Sequence, residues 1–321
     1  MRILIGLLMG CVAACAETWV VVEKVAGQVG FYSPEGKRVA GVKVGTHPHE
    51  IVLSLDGKHA YVSDNGILWM TYAGEGGNTI SIIDIKARTK VGVIDLGKYR
   101  RPHGMTVVPK TGQLLSTTEN PDGLVLVDPV AKKVLRFYDV KGADPHMVML
   151  GPGAEYAYAS NTGTGTVAAV HLASGSVKLI KVDARPQGGV LSADGKLLYI
   201  TNSEGNSISI IDTAKNERVG TIGTGQGPGR VVLTPDGKTL VYNLQQGSGA
   251  GFADVATRKE MRRISLPGKP LSLTTSPDGR FAYAGLQAED KIAVISISER
   301  RLVRVVDTPK GAGPDPVLVV P

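Results

Sequence analysis

The chain has 321 residues, 41 of them glycine and 18 proline, with 5% aromatics and a formal net charge of +7. That length and composition suit one large closed all-β unit built of short strands and tight turns. The modest charge, with no dense Lys/Arg tract and no basic–aromatic interleaving, argues against nucleic acid as a partner.

In chain order, the first segment is MRILIGLLMGCVAACAETW, with one basic residue, Arg2, then an apolar run, then small residues. It reads as a secretory signal peptide over residues 1–16. Ala14–Cys15–Ala16 fits cleavage before Glu17. Val12 to Cys15 also resembles a bacterial lipobox, which would leave Cys15 as a lipidated first residue, and both readings stay open. The expected location is periplasmic or extracellular, with a membrane met only through a lipid anchor at Cys15. The only two cysteines, Cys11 and Cys15, lie in this segment. A mature chain so made has no internal disulfide, no nucleophilic cysteine and no thiolate metal site. Beyond the leader no eighteen-residue apolar run occurs, so no internal membrane span is predicted.

The stretch from Thr18 to Gly45 supplies three strands. After it the chain repeats. Asp-Gly turns recur at Ser54 (SLDG), Ser192 (SADG), Thr234 (TPDG) and Ser276 (SPDG), with degenerate copies at Val108 and Gly151. A proline precedes each: Pro48, Pro102, Pro145, Pro186, Pro228 and Pro270, followed by Pro314, at spacings of 54, 43, 41, 42, 42 and 44 residues. One unit, Pro186 to Gln226, parses into GGVLS, LLYIT, SISIID and RVGTIG, with Gly195 free to take positive φ in the first turn. Four antiparallel strands per unit of about forty residues describe a propeller blade. The C-terminal GPDPVLVVP matches only the first strand of a blade. Joined to the three N-terminal strands it completes a seventh and hides the sheet edges. The prediction is a single seven-bladed β-propeller over residues 17–321, four antiparallel strands per blade, closed by one C-terminal plus three N-terminal strands, and monomeric.

The unit YITNSEGNSISIIDTAKNERVGTI resembles the YVTN family of β-propeller repeats. YITN (Tyr199 to Asn202) nearly reproduces the naming tetrapeptide, and YVSD at Tyr61 and YASN at Tyr158 are weaker copies. The resemblance covers nearly all of the mature chain. It implies an exported propeller and no particular activity.

In such a ring the first strand of each blade lines the central channel, so the residue after each repeat proline should sit at its mouth. These residues are His49, His103, His146, Gln187, Gly229, Leu271 and Asp315. Three of the chain's six histidines fall in this column, in consecutive blades. Three imidazoles with an open fourth position would suit one zinc or copper ion, with Glu50 as a further ligand or a catalytic base. Hydrogen-bonded histidines in a wet channel, and direct ligand contact, are the competing readings. His47 is expected outside the cluster, His59 on the far face, and His171 in a structural role.

Blade one carries an insertion, ILWMTYAGEGG (Ile67 to Gly77), on the same face. Its Trp69, Met70 and Tyr72 are apolar groups that should cover something. Arg101 and Arg230, with Lys98, Arg100, Arg185 and Lys269, would draw a small anion toward Gln187, Trp69 and Tyr72. No Walker loop, Rossmann fingerprint, G-x-S-x-G elbow or haem-attachment motif is present. The Gly-rich GQGPG lies between strands and reads as a turn. Three functions follow: an exported propeller binding a small anionic ligand, a metal or both; a metal-dependent propeller enzyme of lactonase, lyase or isomerase type; or an envelope platform for a partner protein.

Overall fold

The computed structural model describes residues 17–320; the leader and its cleavage or lipidation site lie outside the described residues. Seven four-stranded antiparallel sheets follow one another as the blades of a propeller, and the helix among the described residues is two short 3-10 turns. Blade one comprises Pro48–Leu53, His59–Asp64, Thr79–Asp84 and Thr89–Asp95. The seventh joins Pro314–Val320 to Thr18–Glu23, Gln28–Tyr32 and Arg38–Lys43. Thr18 pairs with Val320, Trp19 with Val319 and Val20 with Leu318, so the chain ends close the ring as the repeat arithmetic requires.

Each strand is about six residues long and alternates its faces, so one blade cannot bury its apolar residues alone. The core is accordingly shared between neighbours. Seven hydrophobic clusters each straddle two adjacent blades. Val20, Val22 and Phe31 of blade seven, for example, meet Ile51, Val62 and Ile83 of blade one. Each such side chain contributes roughly 1.5–3 kcal/mol on burial. Across the last joint, Trp19 packs at a tilt against Tyr283 with ring centroids 4.7 Å apart.

The Asp-Gly turns have one construction. Ser54 Oγ donates to Asp56 Oδ1 at 2.7 Å, which accepts the Lys58 N–H at 3.1 Å, while Gly57 takes φ +71°. Ser192–Asp194–Gly195, Thr234–Asp236–Gly237 and Ser276–Asp278–Gly279 repeat it.

The feature that places the channel residues is a break in the ladder. In blades one to five, pairing of the first and second strands is interrupted just after the repeat proline: between Pro48 and Ile51, Pro102 and Met105, Pro145 and Val148, Pro186 and Gly189, and Pro228 and Val231. The two freed residues bulge toward the axis. Their backbone groups are recovered by the third residue of the YVTN-like tetrapeptide. Ser63 Oγ accepts the Glu50 N–H at 3.0 Å and donates to the His103 carbonyl of the next blade at 2.9 Å. Thr117 accepts from Gly104 at 2.8 Å and donates to the His146 carbonyl at 3.0 Å. Thr201 likewise joins Gly188 to the Gly229 carbonyl, and Asn243 joins Arg230 to the Pro270 carbonyl. A belt of hydroxyl and amide side chains thus ties blade to blade just beneath the channel mouth. The fourth tetrapeptide residue holds its own blade: Asp64 accepts from Gly45 N–H at 2.8 Å, Thr79 at 2.9 Å and Ser81 at 2.8 Å.

Candidate functional site

In every blade but the sixth, the residue before the repeat proline turns the chain into the channel with a left-handed backbone. It is glycine at Gly227 and Gly313, but His47, Arg101, Asp144 and Arg185 also take φ between +43° and +57°. An L residue there carries strain of about 1–2 kcal/mol, and such strain concentrates where a fold positions a site. The residue after the proline then projects inward. His49, His103, His146, Gln187 and Asp315 are all buried, between 2% and 8% exposed, around the axial opening.

The three histidine rings form an edge-to-face file. Centroids of His49 and His103 lie 4.3 Å apart, as do those of His103 and His146. Burial drives all three well below the ordinary imidazole value of 6.5, assisted by the cationic Lys24 at His49 and His103 and by Arg230 at His103 and His146. The rings are therefore neutral, and that fixes their protons. His49 Nε2 faces the Ile67 carbonyl at 2.8 Å and must donate. Its Nδ1, 3.1 Å from His103 Nε2, must accept. His103 then carries its proton on Nε2, and its Nδ1, 3.1 Å from Glu119 Oε1, accepts from that carboxyl in its protonated form. Burial raises the Glu119 carboxyl to about 7 against the pull of Arg101, whose Nη2 sits 2.8 Å from Oε2. The chain of four groups runs from Glu119 through two imidazoles to the backbone of the insertion.

The insertion is thereby docked. Arg101 Nη2 donates to the Met70 carbonyl at 2.8 Å, and Gly66 N–H to the Thr46 carbonyl at 2.9 Å. Leu68, Trp69, Met70 and Thr71 roof a chamber of about 170 Å³, whose floor and walls include the three histidines, Lys24, Arg185, Gln187, Arg230, Gln245, Leu271 and Asp315. Lys24 Nζ lies 3.1 Å from Asp315 and 5.5 Å from the Trp69 ring centroid.

Beneath it the channel is crossed by an ion pair. Glu50, on blade one, bonds Arg230, on blade five. Arg230 also lines a second cavity of about 210 Å³, with Glu50, Ile51, Val231, Leu273 and Leu318. The pair divides the channel. Burial raises Glu50 to about 7 even with Arg230 beside it.

Of the residues singled out in the sequence, His49, His103, His146, Trp69, Gln187 and Arg230 are brought to the upper chamber. Glu50 faces the cavity below it. Arg101 serves Glu119 and the insertion from behind the wall, and Tyr72 is 55% exposed on the outside of the loop. His47 and His171 stay clear of the file: His47 Nδ1 lies 3.4 Å from the Lys24 carbonyl, and His171 packs on Tyr156. Lys24 and Glu119 escaped the sequence reading. Neither sits after a repeat proline: Lys24 follows the first N-terminal strand and Glu119 ends the second strand of blade two.

The fit to zinc or copper can be judged from the nitrogens. Neutral imidazoles have the protonation a metal needs. However, the Nε2 of His49 and both nitrogens of His103 are engaged with neighbours, and among the described residues no three His, Cys, Asp or Glu side chains are disposed to hold an ion.

No protein-family model matches the sequence, and no curated protein matches it. Solved structures do match in shape. A functionally unknown protein from Desulfotomaculum acetoxidans is 16% identical at a TM-score of 0.79, over 94% of this chain and 98% of its own. The periplasmic gluconolactonase of Pseudomonas aeruginosa is 16% identical at 0.77, over 95% and 99%. A putative 6-phosphogluconolactonase from Bacteroides fragilis is 14% identical at 0.77, over 97% and 100%. The likeness is one of fold. At such identities it carries the seven-bladed ring and no activity.

Proposed function

We propose that this chain is an exported propeller of the YVTN type whose upper chamber binds a small anionic ligand beneath the Trp69 insertion. The observation that carries the reading is a set of buried polar atoms without partners around that chamber: Arg230 Nη1 and His146 Nδ1. An unpaired buried donor costs about 1–3 kcal/mol, which a ligand oxygen or water would recover. The potential has the right sign, since Lys24 and Arg230 already depress the histidines. Export is supported by the leader sequence and by a fold shared with a protein named as periplasmic. Partner proteins at this face remain an outcome of the same test.

The test is titration calorimetry of the mature protein with small carboxylates and phosphate at low and high salt. Saturable binding that weakens with salt, and is lost in Arg230→Met/Glu50→Gln, is expected. Indifference to every anion in the panel removes the reading.

A second reading is an enzyme, favoured by one observation: Glu50 and Glu119 both titrate near neutrality, as a general acid or base should. Glu50 would hold or release a proton beside Arg230, while Arg230 and Gln187 would orient a substrate carboxylate.

A further inference from the structure

The upper chamber is not uniformly polar, and the distribution narrows the ligand class. The inference rests on the anion-binding reading above. His146, Gln187, Arg230 and Gln245 come from three consecutive blades, three to five, and set polar side chains along one side. Leu68, Trp69 and Met70 come from the insertion of blade one, nearly opposite on the ring, and make an apolar roof, with His49, Lys24 and Asp315 beside it. That blades one and five face each other across the axis is shown by the Glu50–Arg230 pair. The cations that could greet an anion differ. Lys24 is held by Asp315 and by the face of Trp69, and Arg101 by Glu119 and Met70. Arg101 Nε is also unpartnered but Arg101 does not line the chamber; of the cations that do, Arg185 stands 3.8 Å from Glu204, and Arg230 keeps a buried nitrogen, Nη1, without a partner. Its other arm is fixed by Glu50, so the free one is pre-oriented.

Size sets a further limit. The chamber holds about 170 Å³, and an apolar cavity of about 150 Å³ admits one benzene ring. A single ring or branched alkyl group with one anionic head fills it.

We infer that the chamber selects a small apolar monocarboxylate, aryl or branched-alkyl, with its carboxylate on Arg230 Nη1 and its apolar end under Trp69. A bare polyanion lacks the apolar contact, and a neutral isostere leaves Arg230 unpaired.

The probes are benzoate, its neutral isostere benzyl alcohol, inorganic phosphate and citrate, read by calorimetry on the mature wild-type protein. Benzoate should bind at least about tenfold more tightly than benzyl alcohol, the discrimination of one charge-assisted hydrogen bond. Trp69→Ala should weaken benzoate about tenfold, as for loss of one aromatic contact, and leave phosphate binding unchanged. Arg230→Met/Glu50→Gln, which removes both charges of the pair and so keeps the channel neutral, should erase the preference for benzoate over benzyl alcohol. Equal binding of benzoate and benzyl alcohol to the wild type overturns the inference. Binding of phosphate or citrate without benzoate also overturns it, yet leaves the anion-binding reading intact. Binding of no anion removes both.

Discussion

Arg230 is the residue whose removal says most about the channel. Its side chain is 12% exposed and bonds Glu50, 11% exposed, across the axis. Arg230→Met leaves a buried carboxyl without its cation. Breaking a buried pair from one side costs about 3–5 kcal/mol. At about 2.1 cal/mol/K per residue, 321 residues melt with an entropy of about 0.7 kcal/mol/K, so 4 kcal/mol lowers Tm by about 6 °C. The loss should depend on pH, and its sign is fixed. Burial raises Glu50 to about 7 while Arg230 lowers it, so without Arg230 the carboxyl rises further. At pH 5.5 Glu50 is protonated in both folded proteins, which meet the same cost of taking up that proton, and only its contact with Arg230 is lost. At pH 8.5 the wild-type carboxyl is ionised beside Arg230, whereas the variant must protonate it or bury a lone charge, an added cost of about 1.4 kcal/mol per pH unit above the wild-type value of about 7. Calorimetric melting of Arg230→Met should therefore show a larger deficit against wild type at pH 8.5 than at pH 5.5. Adding Glu50→Gln should recover most of the deficit at pH 8.5. Equal deficits at the two pH values, or a double variant no more stable than the single, would refute the account of a desolvated cross-channel pair.

Two other perturbations test the surroundings. Thr201→Val keeps shape but leaves the Gly188 N–H buried and unpaired, so a loss of about 1–3 kcal/mol is expected, a fall in Tm of about 2–4 °C by chemical denaturation and calorimetry, while an unchanged midpoint would remove the belt from the energetics of the ring. Elemental analysis of protein prepared without metal-affinity resin addresses the histidine file: the hydrogen bonds among His49, His103 and Glu119 predict substoichiometric zinc and copper, and a full equivalent that vanishes in His49→Ala/His103→Ala/His146→Ala would establish the metal reading instead.

Sequence alone determined the ring. A proline and an Asp-Gly turn at intervals near forty-two residues, with three strands of a blade at the N-terminus and the remaining one at the C-terminus, are local and periodic signals, and the pairing of Thr18 with Val320 follows from counting. It also placed His49, His103 and His146 at one opening, because a residue's position in the repeat is its position around the axis. What the repeat could not disclose is how side chains from different blades meet. The deep placement of Lys24 and Glu119, the Glu50–Arg230 bar between residues 180 apart in sequence, and the turning of Tyr72 away from the chamber depend on rotamers and on the bulge after each proline. So does the pairing of His103 with Glu119, whose sense follows from the contact of His49 with the Ile67 carbonyl. Periodicity fixes where a backbone passes; the chemistry at the axis is set by contacts among non-equivalent residues of different blades, and these exist only once the ring has closed.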